Sequence, residues 1–405
     1  MKPLPIQLHV STFTTFILAG LLMATGGCGN NKKPAAEVIK DHYSFWPPAP
    51  DEPHVQFLVS FESSADIRPQ RSKMDEMIYG KDTQETLSMS KPYGVAMWNG
   101  RIYACDIRGN GVMVLDLKQK QTRLMGASGS GMLGKGVDVT VADDGTKYVA
   151  DQVRGAVVVF DAGEKFVKAI TSEGLQPVGV AVFKDLLYVA DFGKEQNVKV
   201  FNRTTGQLLR TIGEAGDQDG QFIRPLGMAV DKAGDLFVAD TFRCRVQEFG
   251  PDGKFIMGFG QNGDRPGMFV RPKHLAVDSQ GLIYVDDSSF NNVQIFDEKG
   301  AVMGYFGSAG SHPGAMELPA GLCVHEGDLD LFQKYVHPAF AAERLVIVTN
   351  QFGPHKIAVY AMGKLKPGKT VADISSSRND VSAGVQESKS TTQPAAPAPA
   401  TQPLN

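Results

Sequence analysis

A four-residue element recurs along this chain: Tyr103-Ala104-Cys105-Asp106, Tyr148-Val149-Ala150-Asp151, Tyr188-Val189-Ala190-Asp191, Phe237-Val238-Ala239-Asp240 and Tyr284-Val285-Asp286-Asp287, with a weaker sixth copy at Ile347-Val348-Thr349-Asn350. Their acidic or amide ends are 45, 40, 49, 47 and 63 residues apart. That period suits a unit of four short strands, the blade of a propeller, which cannot bury its apolar faces alone. Six copies imply a ring of six blades.

Each copy sits in a longer unit. Upstream stand a turn and a strand, as in Pro92-Tyr93-Gly94-Val95-Ala96, Pro177-Val178-Gly179-Val180-Ala181 and Pro272-Lys273-His274-Leu275-Ala276. Downstream runs an alternating strand, as in Val157-Val158-Val159-Phe160-Asp161, and then a turn into a fourth, clearest at Gly253-Lys254-Phe255-Ile256-Met257. The pattern predicts a four-strand meander. After Ile357-Ala358-Val359-Tyr360 no fourth strand follows, whereas Val55-Gln56-Phe57-Leu58-Val59-Ser60-Phe61 supplies one ahead of blade one. Closure of the ring by this N-terminal strand is therefore expected, since it removes an open sheet edge.

Taken together, the turn, Pro, Gly, Tyr-Val-Ala-Asp and Val-x-Val-Phe-Asp elements resemble the NHL-repeat propellers over residues 85 to 362 plus the closing strand. The resemblance implies an all-β, six-bladed β-propeller of four-stranded blades. The Phe45-Trp46-Pro47-Pro48 and Asn350-Gln351-Phe352-Gly353 stretches also resemble exported lipoproteins of respiratory bacteria, a likeness that carries no activity.

The chain ends are of another kind. An apolar run from Phe13 to Met23 has the length of an export signal, and Ala24-Thr25-Gly26-Gly27-Cys28 resembles a bacterial lipoprotein processing box. The expected organisation is a signal peptide over 1–27, lipidated Cys28 and a tether over 28–50, the propeller over 51–374, and a Ser/Thr/Pro/Ala-rich tail over 375–405 that cannot support a core. Gly29 after the cysteine resembles the signal for the outer membrane, so the expected location is the bacterial envelope, lipid-anchored, facing the periplasm or the cell surface.

Charge and cysteine content remove other classes. Lys and Arg total 41 against 44 Asp and Glu, which lacks the basic excess of a nucleic-acid binder. Four cysteines without a C-x2-C pair build neither a disulfide scaffold nor a zinc site, although Cys105 and Cys323 fall in adjacent blades. Nothing implies a cofactor; whether a metal binds stays open.

Function is sought at the axis, where the first strand of each blade lines the channel. The equivalent positions are Gly94, Asp138, Gly179, Gly227, His274 and Gly321. Asp138 and His274 break the glycine rule, and three blades separate them, which sets them on opposite sides of one channel mouth. They form a candidate ligand pair or two rim residues bonded to local backbone. Arg108, Arg154, Arg243 and Arg245, in loops after the repeated element, are candidates for a common rim that binds carboxylates. The long last interval contains an insertion near residues 326–343, in which Phe332, Tyr335 and His337 are candidate partner contacts; the alternative is that Leu331, Phe332 and Phe340 fold back as packing. No catalytic set is recognisable. The favoured reading is a noncatalytic envelope scaffold that binds a protein partner, with a small-molecule ligand as a further expectation. The alternative is a metal-assisted lyase or hydrolase working at the channel.

Overall fold

The computed structural model describes residues 43–69, 74, 77–78 and 85–375. The expected signal peptide, Cys28, residues 28–42 of the tether and the tail beyond residue 375 lie outside them. Six antiparallel sheets make the propeller. Blades one to five have four strands each, taken in chain order from the axis outward. Their inner strands are Pro92–Trp98, Gly136–Val141, Pro177–Phe183, Pro225–Val230 and Pro272–Val277. Blade six starts with Pro319–His325, continues with Phe340–Asn350 and Ile357–Leu365, and is completed by the N-terminal strand Val55–Phe61. Val55 pairs with Met362 and Phe61 with Ile357.

The propeller begins before residue 51. Phe45–Trp46 adds a fifth strand to blade six, pairing Phe45 with Gln56 and Trp46 with Val55. Aromatic contacts hold it, among them Phe45 at 5.6 Å from Phe340 and Trp46 at 5.9 Å from Tyr360, centroid to centroid. The Trp-Pro-Pro stretch is thus attached to the sheet through its aromatic residue and is not part of a tether.

Burial explains the strand patterns. Second and third strands, such as Lys147–Asp151 and Ala156–Phe160, are buried along their whole length, because neighbouring blades cover both faces of each sheet. Fourth strands, such as Phe255–Phe259 and Val302–Phe306, alternate because one face meets solvent. Tyr103, Tyr188, Tyr284 and Tyr360, in second or third strands, are wholly buried, and Tyr148 nearly so. Each belongs to an apolar cluster that mixes strands of adjacent blades, as Tyr103 does with Val149 and Phe160.

The repeated aspartates do more than end strands. The first residue of every inner strand pairs with one of them, or with Asn350: Pro92 with Asp106, Gly136 with Asp151, Pro272 with Asp287 and Pro319 with Asn350. Asp151 accepts N–H bonds from Gly134 and Lys135 before the inner strand, and from Val153 and Arg154 in its own turn. Asp106 and Asp287 repeat the pattern. Each carboxylate therefore ties two loops together on one face of the ring, and its recurrence is architectural.

Directly after each of these pairs the inner strand slips register, between Gly136 and Asp138, Pro225 and Met228, and Pro272 and Leu275 among others. Such bulges re-aim side chains, here towards the axis. They also bring neighbouring inner strands together. A Cβ on Gly179 would lie 2.0 Å from Leu226 O, and one on Gly227 2.4 Å from His274 Cα. Glycine at the axis is thus a demand of close backbone approach between blades.

Candidate site at the channel mouth

Asp138 and His274 meet. His274 Nε2 lies 3.4 Å from Asp138 Oδ1, and both side chains are buried. Asp138 Oδ2 accepts the Val180 N–H at 2.9 Å. Behind the histidine stands Asp286, whose Oδ1 accepts the N–H groups of Lys273 at 3.1 Å and His274 at 2.6 Å, the donors exposed by the bulge. Four buried atoms here lack a hydrogen bond of good geometry: Asp138 Oδ1, both His274 ring nitrogens and Asp286 Oδ2. Burial pushes the His274 pKa down, but the Asp138 carboxylate and then Asp286 outweigh it and hold it above the ordinary value. Burial lifts Asp286 to about 6, against the backbone bonds and the cations that favour its charged form.

One step outward along the inner strands lies a cavity of about 360 Å³. Its apolar floor and walls include Ile107, Val137, Val178 and Leu226, with Tyr93 beside them. Four cations line it: Lys135, Arg224, Arg271 and Lys273. None of the four forms an ion pair with a described carboxylate within 4.0 Å. Lys273 is buried, with Nζ 5.6 Å from the Tyr93 ring centroid. Desolvation lowers its pKa to about 8; Asp286 opposes that, while Arg271 and Lys91 reinforce it. Burial, with Asp286 and Asp138 nearby, raises the Tyr93 phenol well above its usual range, so it stays protonated.

The arginines singled out from the sequence are elsewhere. Arg108 and Arg243 are exposed, Arg154 donates to Ser130 O and Met132 O, and Arg245 is committed to Asp240 and Asp219. None of the four lines the cavity. The cations that do line it come mostly from the residue preceding each inner strand, Lys135, Arg224 and Arg271, with Lys91 equivalent in blade one. The signal for them was the register before the repeated Pro or Gly. Asp286 was also legible, as the one acidic residue at a position where blades two to four carry alanine.

The insertion is packing at its core. It joins the first two strands of blade six, so it leaves the face opposite the cavity. Phe332 and Phe340 are buried in a cluster with Val95, Ile102 and Ile357. His337 is buried against the Tyr43 ring at 4.6 Å, and its N–H donates to Gln56 Oε1. Tyr335 O accepts from Gln56 Nε2. A short helix is present, as a 3-10 turn over Leu329–Tyr335. Phe332 and His337, expected as partner contacts, are buried where the insertion packs on blade six. Cys105, Cys244 and Cys323 carry free thiols. Among the described residues no three His, Cys, Asp or Glu side chains converge as a metal site.

The chain is thus a six-bladed β-propeller, and residues 222–249, in blade four, match the NHL repeat model. In sequence it is 48% identical over 44 residues to the B-box type zinc finger protein ncl-1 of Caenorhabditis elegans, and 47% identical over 45 residues to the E3 ubiquitin-protein ligase TRIM71 of Gallus gallus. Each match covers 11% of this chain and 5% of the relative, so the chain spans about a twentieth of the curated relatives' length. Among solved structures, a streptogramin B lyase is similar at TM-score 0.48 and 10% identity, over 68% of this chain and 94% of that one. The virginiamycin B lyase of Staphylococcus aureus gives 0.47 and 10%, over 67% and 95%. A protein of unknown function from Bacteroides thetaiotaomicron gives 0.49 and 15%, over 76% and 75%. The similar structures include lyases, so the fold gives no ground for the expectation that the chain is more a scaffold than an enzyme. At such identity the likeness is one of fold, and any chemistry has to be read from this chain's own channel.

Proposed function

We propose that the channel mouth is an enzyme site that removes a proton next to the acid group of a small anionic molecule, a lyase-type reaction. One observation carries this reading: a buried lysine, Lys273, faces a cavity that it shares with three further cations lacking carboxylate partners. The cations suit the substrate's acid group and the negative charge that grows as a C–H bond breaks. Lys273 Nζ, partly neutral near pH 8, takes the proton; the C–H electron pair becomes a C=C bond as a β-substituent leaves with its own pair. The protonated Tyr93 phenol offers a donor to the developing charge.

Proton abstraction is testable without knowing the leaving group. Hydrophobic carboxylic acids incubated with the protein in D2O are expected to exchange their α-protons, read by NMR, and K273M is expected to abolish the exchange. Absence of exchange in every acid that binds would overturn the proposal.

A second reading has its own observation. NHL-repeat propellers generally mediate protein–protein interactions, and Val153, Phe242 and Phe352 are exposed in turns on the cavity face. A partner in the cell envelope would dock there, with the chain held by acylation of Cys28. Crosslinking in native envelopes tests the first point, and detergent-phase partitioning of C28S against the unaltered chain tests the second.

A further inference from the structure

We propose that the molecule bound at the channel mouth is an amphipathic carboxylate, its acid group held by Arg224 and its apolar body laid against Val137, Val178 and Leu226. The inference rests on the channel mouth being the working site, and it adds what that site selects.

Arg224 is set for this role by its backbone. Its φ of 65° lies in the left-handed region, which non-glycine residues avoid. Two bonds hold it there: its N–H donates to Gln196 Oε1 at 2.8 Å, and its carbonyl accepts the Thr241 N–H at 3.3 Å. The guanidinium carbon then lies 4.7 Å from the Phe192 ring centroid and 4.5 Å from that of Phe242. Contact with two rings restricts the plane of the group, which stays solvent-accessible and forms no ion pair with a described carboxylate. A guanidinium fixed in that way offers a planar fork to a carboxylate.

The rest of the cavity decides the other half of the ligand. A bare inorganic anion would touch the cations and leave the half-buried Ile107 and Leu226, with the edges of Val137 and Val178, uncovered. An alkyl or aryl body attached to the acid covers them, at about 0.8 kcal/mol for each CH2 buried. Arg271 and Lys135, whose Nζ also donates to Gln152 Oε1, add charge around the same opening, and Lys273 lines the same cavity.

The experiment is calorimetric titration of the full chain with straight-chain acids from butanoate to octanoate. Affinity is expected to rise about fourfold per added CH2 until the cavity is filled. R224K should weaken hexanoate binding at least tenfold, F242A should weaken it less, and R154Q, outside the cavity, should leave it unchanged. Thermal unfolding of each variant separates loss of binding from loss of fold. Hexanamide binding as tightly as hexanoate would overturn the role of Arg224. Affinity independent of chain length, or no binding at all, would overturn the amphipathic class. Hexyl phosphate binding more tightly than hexanoate would overturn the carboxylate. Arg224-dependent acid binding without any α-proton exchange would leave this inference standing and remove the proposed reaction, so the two fail separately.

Discussion

His274 Nε2 stands 3.4 Å from Asp138 Oδ1 and so links blades two and five across the channel. Opposite blades of a propeller otherwise communicate only around the ring. This polar contact at the axis ties the two blades through one imidazole, whose charge is favoured by Asp138 and Asp286.

The pair predicts a titration. Burial lowers the His274 pKa, and the Asp138 charge is the first of the effects that raise it above 6.5. D138N is expected to move the pKa below 6.5, read from the imidazole Hε1 shift by NMR. A histidine with a raised folded-state pKa stabilises fully below its unfolded value, and the contribution is lost as pH rises through the raised value. Stability of the unaltered chain should therefore decline across that window and D138N should flatten the decline. An unchanged His274 titration in D138N would refute the electrostatic link.

Lys273 has the opposite sign. Its folded-state pKa of about 8 lies below the ordinary 10.5, so the unfolded chain binds more protons between these values and stability rises with pH across them. K273M should stabilise the protein at pH 7 by about 1–3 kcal/mol, as expected when a buried charge without an ion-pair partner is removed. The gain should shrink above pH 8. Urea unfolding at pH 7 and pH 9.5 checks both statements, and a variant less stable at pH 7 would contradict them.

Reactivity gives an independent reading of the same amine. Pyridoxal 5′-phosphate, an anionic aldehyde, followed by borohydride should label Lys273 ahead of exposed lysines such as Lys254 at pH 7.5. Peptide mass spectrometry reads the sites, and R271Q should lower the labelling. Even labelling across the surface would show that the cavity neither attracts anions nor activates Lys273.

Close packing at the axis predicts a sharp contrast between two glycines. A Cβ on Gly227 would meet His274 Cα at 2.4 Å and Lys273 O at 2.7 Å, backbone atoms that cannot step aside cheaply. G227A should cost about 3 kcal/mol and abolish Lys273 labelling. Gly304, in the outer strand of blade five, has nothing within 4 Å of its would-be Cβ, and G304A should be silent. Thermal unfolding of both variants decides.

The ring was legible in the sequence because each blade repeats one solution to one problem: a strand buried on both faces, ended by a side chain that holds two loops. Closure by Val55–Phe61 followed from counting strands. Asp138 and His274 were visible because they break a glycine rule whose cause, backbone approach between blades, is geometric. Lys273 was not visible, and Arg224 showed only as a basic residue ahead of the repeated Pro. A bulge decides which inner-strand residue faces the cavity, and Arg224 reaches it from a loop whose left-handed turn leaves no mark in residue type. The arginines after the repeated aspartates looked equivalent, yet Arg245 is consumed by two carboxylates. The insertion misled for the same reason, since its aromatic residues serve the interior of blade six.

The closing strand has a consequence for how this molecule comes into being. Val55 pairs with Met362, 307 residues further along the chain. At about 5–20 residues per second, synthesis of that stretch takes roughly 15–60 s. Through that interval the growing chain holds finished blades with an unmatched sheet edge at either end, and the first strand made waits for the last. The ring is a lock that cannot be set until residue 362 has been made, and its two open edges must be kept from other partners until then.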